Sequence, residues 1–171
     1  MKTAELLEDA LSRVREVVRG VTAGLTAEQL SYRPGPAANP IGWLIWHLTR
    51  VQDDHVSDVA GVSQAWTAQG WSGRFGLPFD DATVGYGQTP AEVAQFLVTD
   101  PELLTGYYDA VHARSVEFIR TLTDADLDRI VDERWDPPVT LGVRLVSVID
   151  DDAQHAGQAA YVRGLLTRTG D

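Results

Sequence analysis

Two residues near the end of the chain, Asp151 and His155, have the types and spacing of a metal site. They stand four residues apart, which places them on one face of a helix. Leucine, valine and alanine residues share this face, so both side chains are expected at the inner side of the helix. A carboxylate in that position needs an ion pair, hydrogen bonds or a metal. Thiolate ligands from the protein itself and a cysteine nucleophile are excluded, because the chain has no cysteine.

A third candidate ligand, His47, follows an aromatic and apolar run. Trp43 and Asp54 are predicted to share its helical face. With Asp151 and His155 it makes a set of two histidines and one carboxylate, which Zn²⁺, Ni²⁺ and Fe²⁺ accept. The same pattern is also typical of core histidines that are hydrogen-bonded to their neighbours, with Asp151 as one partner. The residues alone leave both interpretations open.

The elements that must position these residues are four helices, predicted from apolar residues at helical spacing. Asn39 before Pro40 predicts the start of the second helix, Gly61 its end, and Thr140 caps the fourth. Residues 62–88 are a long connection without helical periodicity. We therefore predict an all-α fold, a four-helix bundle with a long loop between helices 2 and 3, in a single domain of residues 1–171. The predicted helices span residues 3–21, 40–61, 89–122 and 140–166. A second cap followed by proline, Asp100–Pro101, allows the third helix to restart there.

The composition limits the partners that this chain can have. Its formal net charge is −11 and its sequence pI is about 4.6, which argues against nucleic acid and an anionic membrane surface as partners. The first 20 residues carry charges throughout, and no run of 18 apolar residues is present. We therefore expect a cytoplasmic protein.

Two blocks of the sequence resemble the DinB-like superfamily. They are PIGWLIWHLTRVQDDHV, with a histidine after a Trp-rich run that begins near a proline, and VTLGVRLVSVIDDDAQHAGQAAYVRGLL, with an acidic residue four positions before a histidine. The nearest branch by pattern is that of the mycothiol-dependent maleylpyruvate isomerases and related thiol S-transferases. The resemblance covers nearly the whole chain and implies that His47, Asp151 and His155 are metal ligands. The branch has glutamate where this chain has Asp151, so Asp54 or Asp152 are alternative sources of the carboxylate oxygen.

By this resemblance, the protein is a divalent-metal-dependent enzyme that binds a low-molecular-weight thiol, expected to be mycothiol. It would transfer the thiol to a small electrophile or isomerise that electrophile. The metal is expected to be zinc or nickel, with iron as a further candidate, and no catalytic residue is assigned. Family members often pair, so a homodimer is compatible with the resemblance. The residues expected to line the pocket or support the ligands are Trp43, Asp54, His55, Arg74 and Gln158.

Two other functions remain open at this level. One is a DinB-like metal-binding protein without turnover, linked to stress. The other is an Fe²⁺ enzyme that activates oxygen, because two histidines and one carboxylate also suit that chemistry.

Overall fold

Four long helices dominate the computed structural model, which describes residues 1–168; residues 169–171 of the predicted domain lie outside the described residues. Shorter helices and one β-hairpin connect the long ones. The all-α four-helix-bundle prediction is confirmed. In chain order the elements are α1 (Thr3–Thr22), α2 (Ala27–Ser31), α3 (Ile41–Ala60), α4 (Ala65–Ala68), α5 (Trp71–Phe75), α6 (Pro90–Val93), α7 (Pro101–Arg120), a 3-10 helix (Asp124–Asp128), β1 (Ile130–Asp132), β2 (Val139–Thr140) and α8 (Leu141–Arg168).

Local capping groups stand at the starts of α7 and α8 and at the end of α3, whereas α3 begins after Pro40 without the side-chain cap predicted for Asn39. The Asp100 side chain accepts the Glu102 N–H at 2.8 Å at the start of α7, and Thr140 Oγ1 accepts the Val143 N–H at 3.3 Å at the start of α8. Gly61 ends α3 with a positive φ of 69°. These contacts join residues within one helical turn, which is why the sequence predicts them.

The bundle places α3 and α8 antiparallel to each other. Arg144, near the start of α8, lies against His55 near the end of α3, and His155, later in α8, lies against His47 earlier in α3. The candidate site lies where α3 and α8 face each other. On the other side, an ion pair of 2.5 Å between Glu8 and Arg120 joins α1 to α7.

Helix α3 is buried on most of its circumference, because the connection of residues 62–88 covers the face that the other helices leave open. The Trp66 ring packs against Trp46 of α3 at 6.3 Å and against Tyr107 of α7 at 5.2 Å between ring centroids. This connection contains α4 and α5, which the sequence did not predict. Helices of four and five residues are too short to show a helical period.

A β-hairpin in residues 130–140 attaches the start of α8 to the bundle. Its strands are antiparallel and pair Ile130 with Thr140, and the Leu141 N–H donates to the Arg129 carbonyl at 2.8 Å. The buried Asp132 carboxylate accepts one hydrogen bond of 3.2 Å from Arg144 of α8. Within residues 1–168, none of the helices combines the length and the apolar character that a membrane span requires.

Candidate metal centre

Three side chains from two helices converge at the groove between α3 and α8. His47 comes from α3, and Asp151 and His155 come from α8 one turn apart. Each offers one possible ligand atom, and these atoms all lie within 4.8 Å of one another. The structure therefore brings together the three residues that the sequence singled out.

His47 is held in one orientation by two contacts. Its Nδ1 lies 2.5 Å from the Val84 carbonyl oxygen. Because a carbonyl can only accept, Nδ1 carries the proton and Nε2 keeps a free lone pair. The Trp43 ring stacks on the imidazole, with centroids 4.6 Å apart. Burial lowers the pKa of His47, which favours the neutral form that binds metals.

His155 is oriented in the same way by a different partner. Its Nδ1 lies 2.9 Å from Gln158 Oε1, so Nδ1 donates there and Nε2 is free. That Nε2 lies 3.6 Å from Asp151 Oδ1, and the neighbouring carboxylate raises the pKa of His155 above its usual value. The other oxygen, Asp151 Oδ2, is buried and has no hydrogen-bond partner among residues 1–168.

These residues fit a divalent metal. Ligand bonds of about 2.1 Å place two ligands of a tetrahedral ion about 3.4 Å apart, close to the 3.6 Å between His155 Nε2 and Asp151 Oδ1. The unpartnered Asp151 Oδ2 is a further oxygen donor. His47 is only 5% exposed, whereas the side chains of His155 and Asp151 are 20% and 32% exposed. The cluster is therefore closed on the α3 side and open to solvent on the α8 side.

The other two candidate carboxylates do not belong to this cluster. Asp54 Oδ1 accepts a hydrogen bond of 2.6 Å from the Gln64 amide. Asp152 is fully buried, and neither of its oxygens has a hydrogen-bond partner among the described residues. Burial raises the pKa of Asp152 well above its usual range, which favours the uncharged form of this carboxyl. Asp151 is the carboxylate that faces the two histidines.

The residues predicted to surround the site divide into two groups. Trp43 and Gln158 contact the candidate ligands directly, as described above. His55 instead accepts a hydrogen bond of 2.7 Å from Arg144 through Nδ1, and burial lowers its pKa. Arg74 stacks on the Trp71 ring, 4.5 Å from its centroid. Among the described contacts, Asp54, His55 and Arg74 make no hydrogen bond or ion pair with His47, Asp151 or His155.

The segment of residues 81–85 is a part of the site that the sequence did not predict. Val84 supplies the carbonyl for His47, and Gly85 has a positive φ of 94°. A Cβ at Gly85 would lie 2.8 Å from His47 Nδ1 and 3.0 Å from ring carbons of Trp43 and Trp46. The glycine therefore lets the backbone approach the histidine. The glycines flanking Tyr86 are the only sequence signal for this approach, and they do not say which side chain the backbone meets.

Gly85→Ala is expected to lower the free energy of unfolding by about 2–4 kcal/mol, because the methyl group adds a clash with His47 to the cost of a positive φ. The matched control is Gly87→Ala, since Gly87 also has a positive φ, 73°, but open space around its Cβ. The control should cost only about 1 kcal/mol. Urea unfolding of the metal-free proteins measures both values. Equal decreases in the free energy of unfolding of the two variants would show that the close approach to His47 does not contribute to the cost of Gly85→Ala.

Comparisons with known proteins agree with this fold. A family model described as mycothiol-S-transferase matches residues 6–168. A crystal structure described as a conserved protein from Enterococcus faecalis matches with a TM-score of 0.89 and 34% sequence identity, over 95% of this chain and 96% of that chain. No curated protein matches the chain.

Proposed function

We propose a function from the premise that this chain belongs to the mycothiol-S-transferase family, a DinB-like family. The proposed activity is divalent-metal-dependent transfer of a low-molecular-weight thiol, mycothiol, to a small electrophile, or isomerisation of such an electrophile by reversible thiol addition. We propose zinc or nickel as the metal, with ferrous iron as a further ion that the same ligands accept.

The observation that carries this proposal is the convergence of His47, Asp151 and His155 between α3 and α8, with the α8 side of the cluster open to solvent. Three protein ligands and an open position are typical of catalytic rather than structural zinc sites. The absence of protein cysteine agrees with a thiol that is supplied from solution. Both features match the transfer chemistry that the family description names.

The proposed reaction needs a thiolate as the nucleophile. The thiol loses its proton to solvent, its sulfur forms a bond to a carbon of the electrophile, and the leaving group departs with its electron pair. In an isomerisation, the sulfur adds to a double bond and leaves again after rotation about the resulting single bond. A divalent metal bound at this site supplies Lewis acidity, which lowers the pKa of a thiol so that it ionises at neutral pH.

The residues of the chain supply positioning and exclusion of water. The Val84 carbonyl and Gln158 Oε1 each hold one histidine with Nε2 toward the cluster. Trp43 closes the α3 side by stacking on His47. The part-exposed side of Asp151 and His155 leaves the entry for the thiol and the electrophile.

Thiol-dependent consumption of an electrophile tests the proposed function. The protein is purified without a nickel column, its metal content is measured, and monochlorobimane is supplied with mycothiol, glutathione or no thiol. We expect faster formation of the fluorescent thioether with mycothiol than in a parallel sample whose metal has been removed by a chelator. A chlorinated aromatic compound serves as the second electrophile.

Each alternative gives a different result in this experiment. Stoichiometric metal without acceleration for any thiol would favour the metal-binding protein without turnover. Oxygen consumption by the ferrous protein, independent of thiol, would favour the oxygen-activating enzyme. Either result would overturn the transferase proposal.

Asp151→Asn is expected to weaken metal binding at least tenfold if Asp151 is a ligand, because a neutral amide replaces an anionic oxygen. Asp151→Glu should be tolerated, because the branch that this chain resembles has glutamate there. Competition with a zinc-binding dye measures both dissociation constants. Normal binding by Asp151→Asn together with weak binding by Asp54→Asn would assign the carboxylate to Asp54 instead.

Four predictions on organisation and partners stay proposals. The family match over residues 6–168 supports a single domain spanning residues 1–171. The net charge of −11 supports the absence of nucleic acid as a partner. A cytoplasmic location and a homodimer complete the proposal.

A further inference from the structure

We propose that Arg50, a fully buried arginine on the same helix as His47, is a positioning residue for the metal centre. It holds the backbone of residues 81–84 so that the Val84 carbonyl keeps the proton of His47 on Nδ1 and leaves Nε2 toward Asp151 and His155. The part of this proposal that concerns metal affinity rests on the proposed function, whereas the part that concerns the proton position does not.

Arg50 contacts the same segment of backbone that supports His47. Its NH2 group donates to the Asp81 carbonyl at 3.0 Å and its Nε–H donates to the Thr83 carbonyl at 3.2 Å. Thr83 directly precedes Val84, whose carbonyl accepts from His47 Nδ1 at 2.5 Å. Because one rigid guanidinium holds the carbonyls of Asp81 and Thr83, it also determines where the Val84 carbonyl lies. A planar group with several donors in a fixed arrangement is suited to this task.

The guanidinium is itself held from the opposite side. Its NH1 group donates to Gln64 Oε1 at 2.7 Å and to the Tyr107 hydroxyl at 3.4 Å. It lies 4.9 Å from the centre of the Trp66 ring and 4.0 Å from the Asp53 carboxylate. These contacts hold the Arg50 side chain in one orientation. Its hydrogen bonds to the Asp81 and Thr83 carbonyls then fix the position of residues 81–84.

Stability alone is a weak reason for a charged side chain in this place. Arg50 is 0% exposed, and replacing a whole buried ion pair with apolar residues of similar size is often neutral or stabilising, whereas removing Arg50 alone leaves the buried Asp53 without this partner. What an apolar residue cannot do is donate to carbonyls. The segment also approaches His47 closely at Gly85, where a Cβ would lie 2.8 Å from Nδ1. A small displacement of this backbone therefore changes the support of the histidine.

Partners that fix the proton position of a ligating histidine affect metal affinity about 10- to 100-fold. We expect Arg50→Met to lose this support, and Arg50→Lys to keep part of it, because an ammonium group can reach one of the two carbonyls. The matched control is Gln52→Leu. Gln52 is also fully buried on α3, and its amide donates to Ser115 rather than to residues 81–84.

The first readout is the position of the His47 proton in the metal-free protein, taken from the ¹⁵N spectrum of its ring, with His47→Gln used for assignment. The wild type and Gln52→Leu should show the Nδ1–H form, and Arg50→Met a mixture of both forms. The second readout is the Zn²⁺ dissociation constant, which should rise 10- to 100-fold in Arg50→Met, less in Arg50→Lys and not in Gln52→Leu. If Arg50→Met does not fold, Arg50→Lys decides by the same two readouts.

A single Nδ1–H form in the Arg50 variants, with Zn²⁺ binding equal to that of Gln52→Leu, would overturn the positioning role and leave Arg50 a structural residue. Failure of the proposed function looks different, because the wild type itself would then bind no metal or show no thiol-dependent turnover. The proton position of His47 would still decide the role of Arg50 in that case.

Discussion

Replacing His47 or His155 with alanine is expected to reduce bound metal from about one equivalent per chain to near zero. Each substitution leaves two of the three convergent ligands, and the lost imidazole Nε2 has no substitute among the described residues of the cluster. The helices should persist, because His155 is part-exposed and the apolar core residues before and after His47 on α3 are unchanged. Metal analysis after dialysis and far-UV circular dichroism measure the two outcomes.

His112→Ala is the control for this experiment. His112 is also a buried histidine, but it lies on α7 beside Tyr108, and its Nδ1 has no hydrogen-bond partner among the described residues. Its removal should leave the metal content unchanged. Equal metal loss in all three variants would mean that binding is unspecific or that the fold itself was damaged.

Asp152→Asn is expected to stabilise the protein at neutral pH, because the amide carries no acidic proton that the unfolded chain would release. The Asp152 carboxyl is fully buried, and burial raises its pKa well above the ordinary value. As the pH rises from 4, the unfolded chain releases this proton while the native protein keeps it. The stability that Asp152 contributes is therefore complete below the ordinary aspartate pKa. It decreases as the pH rises from that value to the raised native pKa, by up to about 1.4 kcal/mol per pH unit.

Urea unfolding at pH 4, 5.5 and 7, with a chelator present, tests this pH dependence. The stability difference between Asp152→Asn and the wild type should be small at pH 4 and grow toward pH 7. Asp150→Asn is the control, because Asp150 is exposed on the same helix and bonds to Gln154. Parallel curves for Asp152→Asn and the wild type at all three pH values would contradict a neutral buried carboxyl.

Three of the four long helices and two of the three candidate ligands were predictable because their signals are local. The third predicted helix, residues 89–122, instead divides into α6 and α7, because α7 begins anew at the cap and proline of Asp100–Pro101. Caps at Asp100 and Thr140 act within one turn, and Asp151 and His155 share a face because they are four residues apart. The start of α3 differs by one residue, since Pro40 stands just before the helix rather than inside it. The hairpin and the short helices α4 and α5 have too few residues to produce a period.

The choice among Asp54, Asp151 and Asp152 depended on the tertiary structure. Asp151 and Asp152 differ by 100° around α8, and only the position of α3 shows that Asp151 faces the histidines while Asp152 enters the core. The pattern around His47 was ambiguous because α3 is covered on most sides, so that two competing faces are both buried. A helix that is buried on all sides has no polar stripe from which its orientation can be read.

By itself, the sequence of this protein determined an all-α bundle, the spacing of Asp151 and His155, and a resemblance that implied His47 as their partner. Only the tertiary structure decided how these side chains are held. The Val84 carbonyl lies 37 residues from His47, and Arg50 reaches the same segment from 31 and 33 residues away. Such contacts form when packing brings a connection back onto a helix, and no periodicity or cap encodes them. The sequence thus placed the candidate ligands on their helices, and packing gave them their orientation.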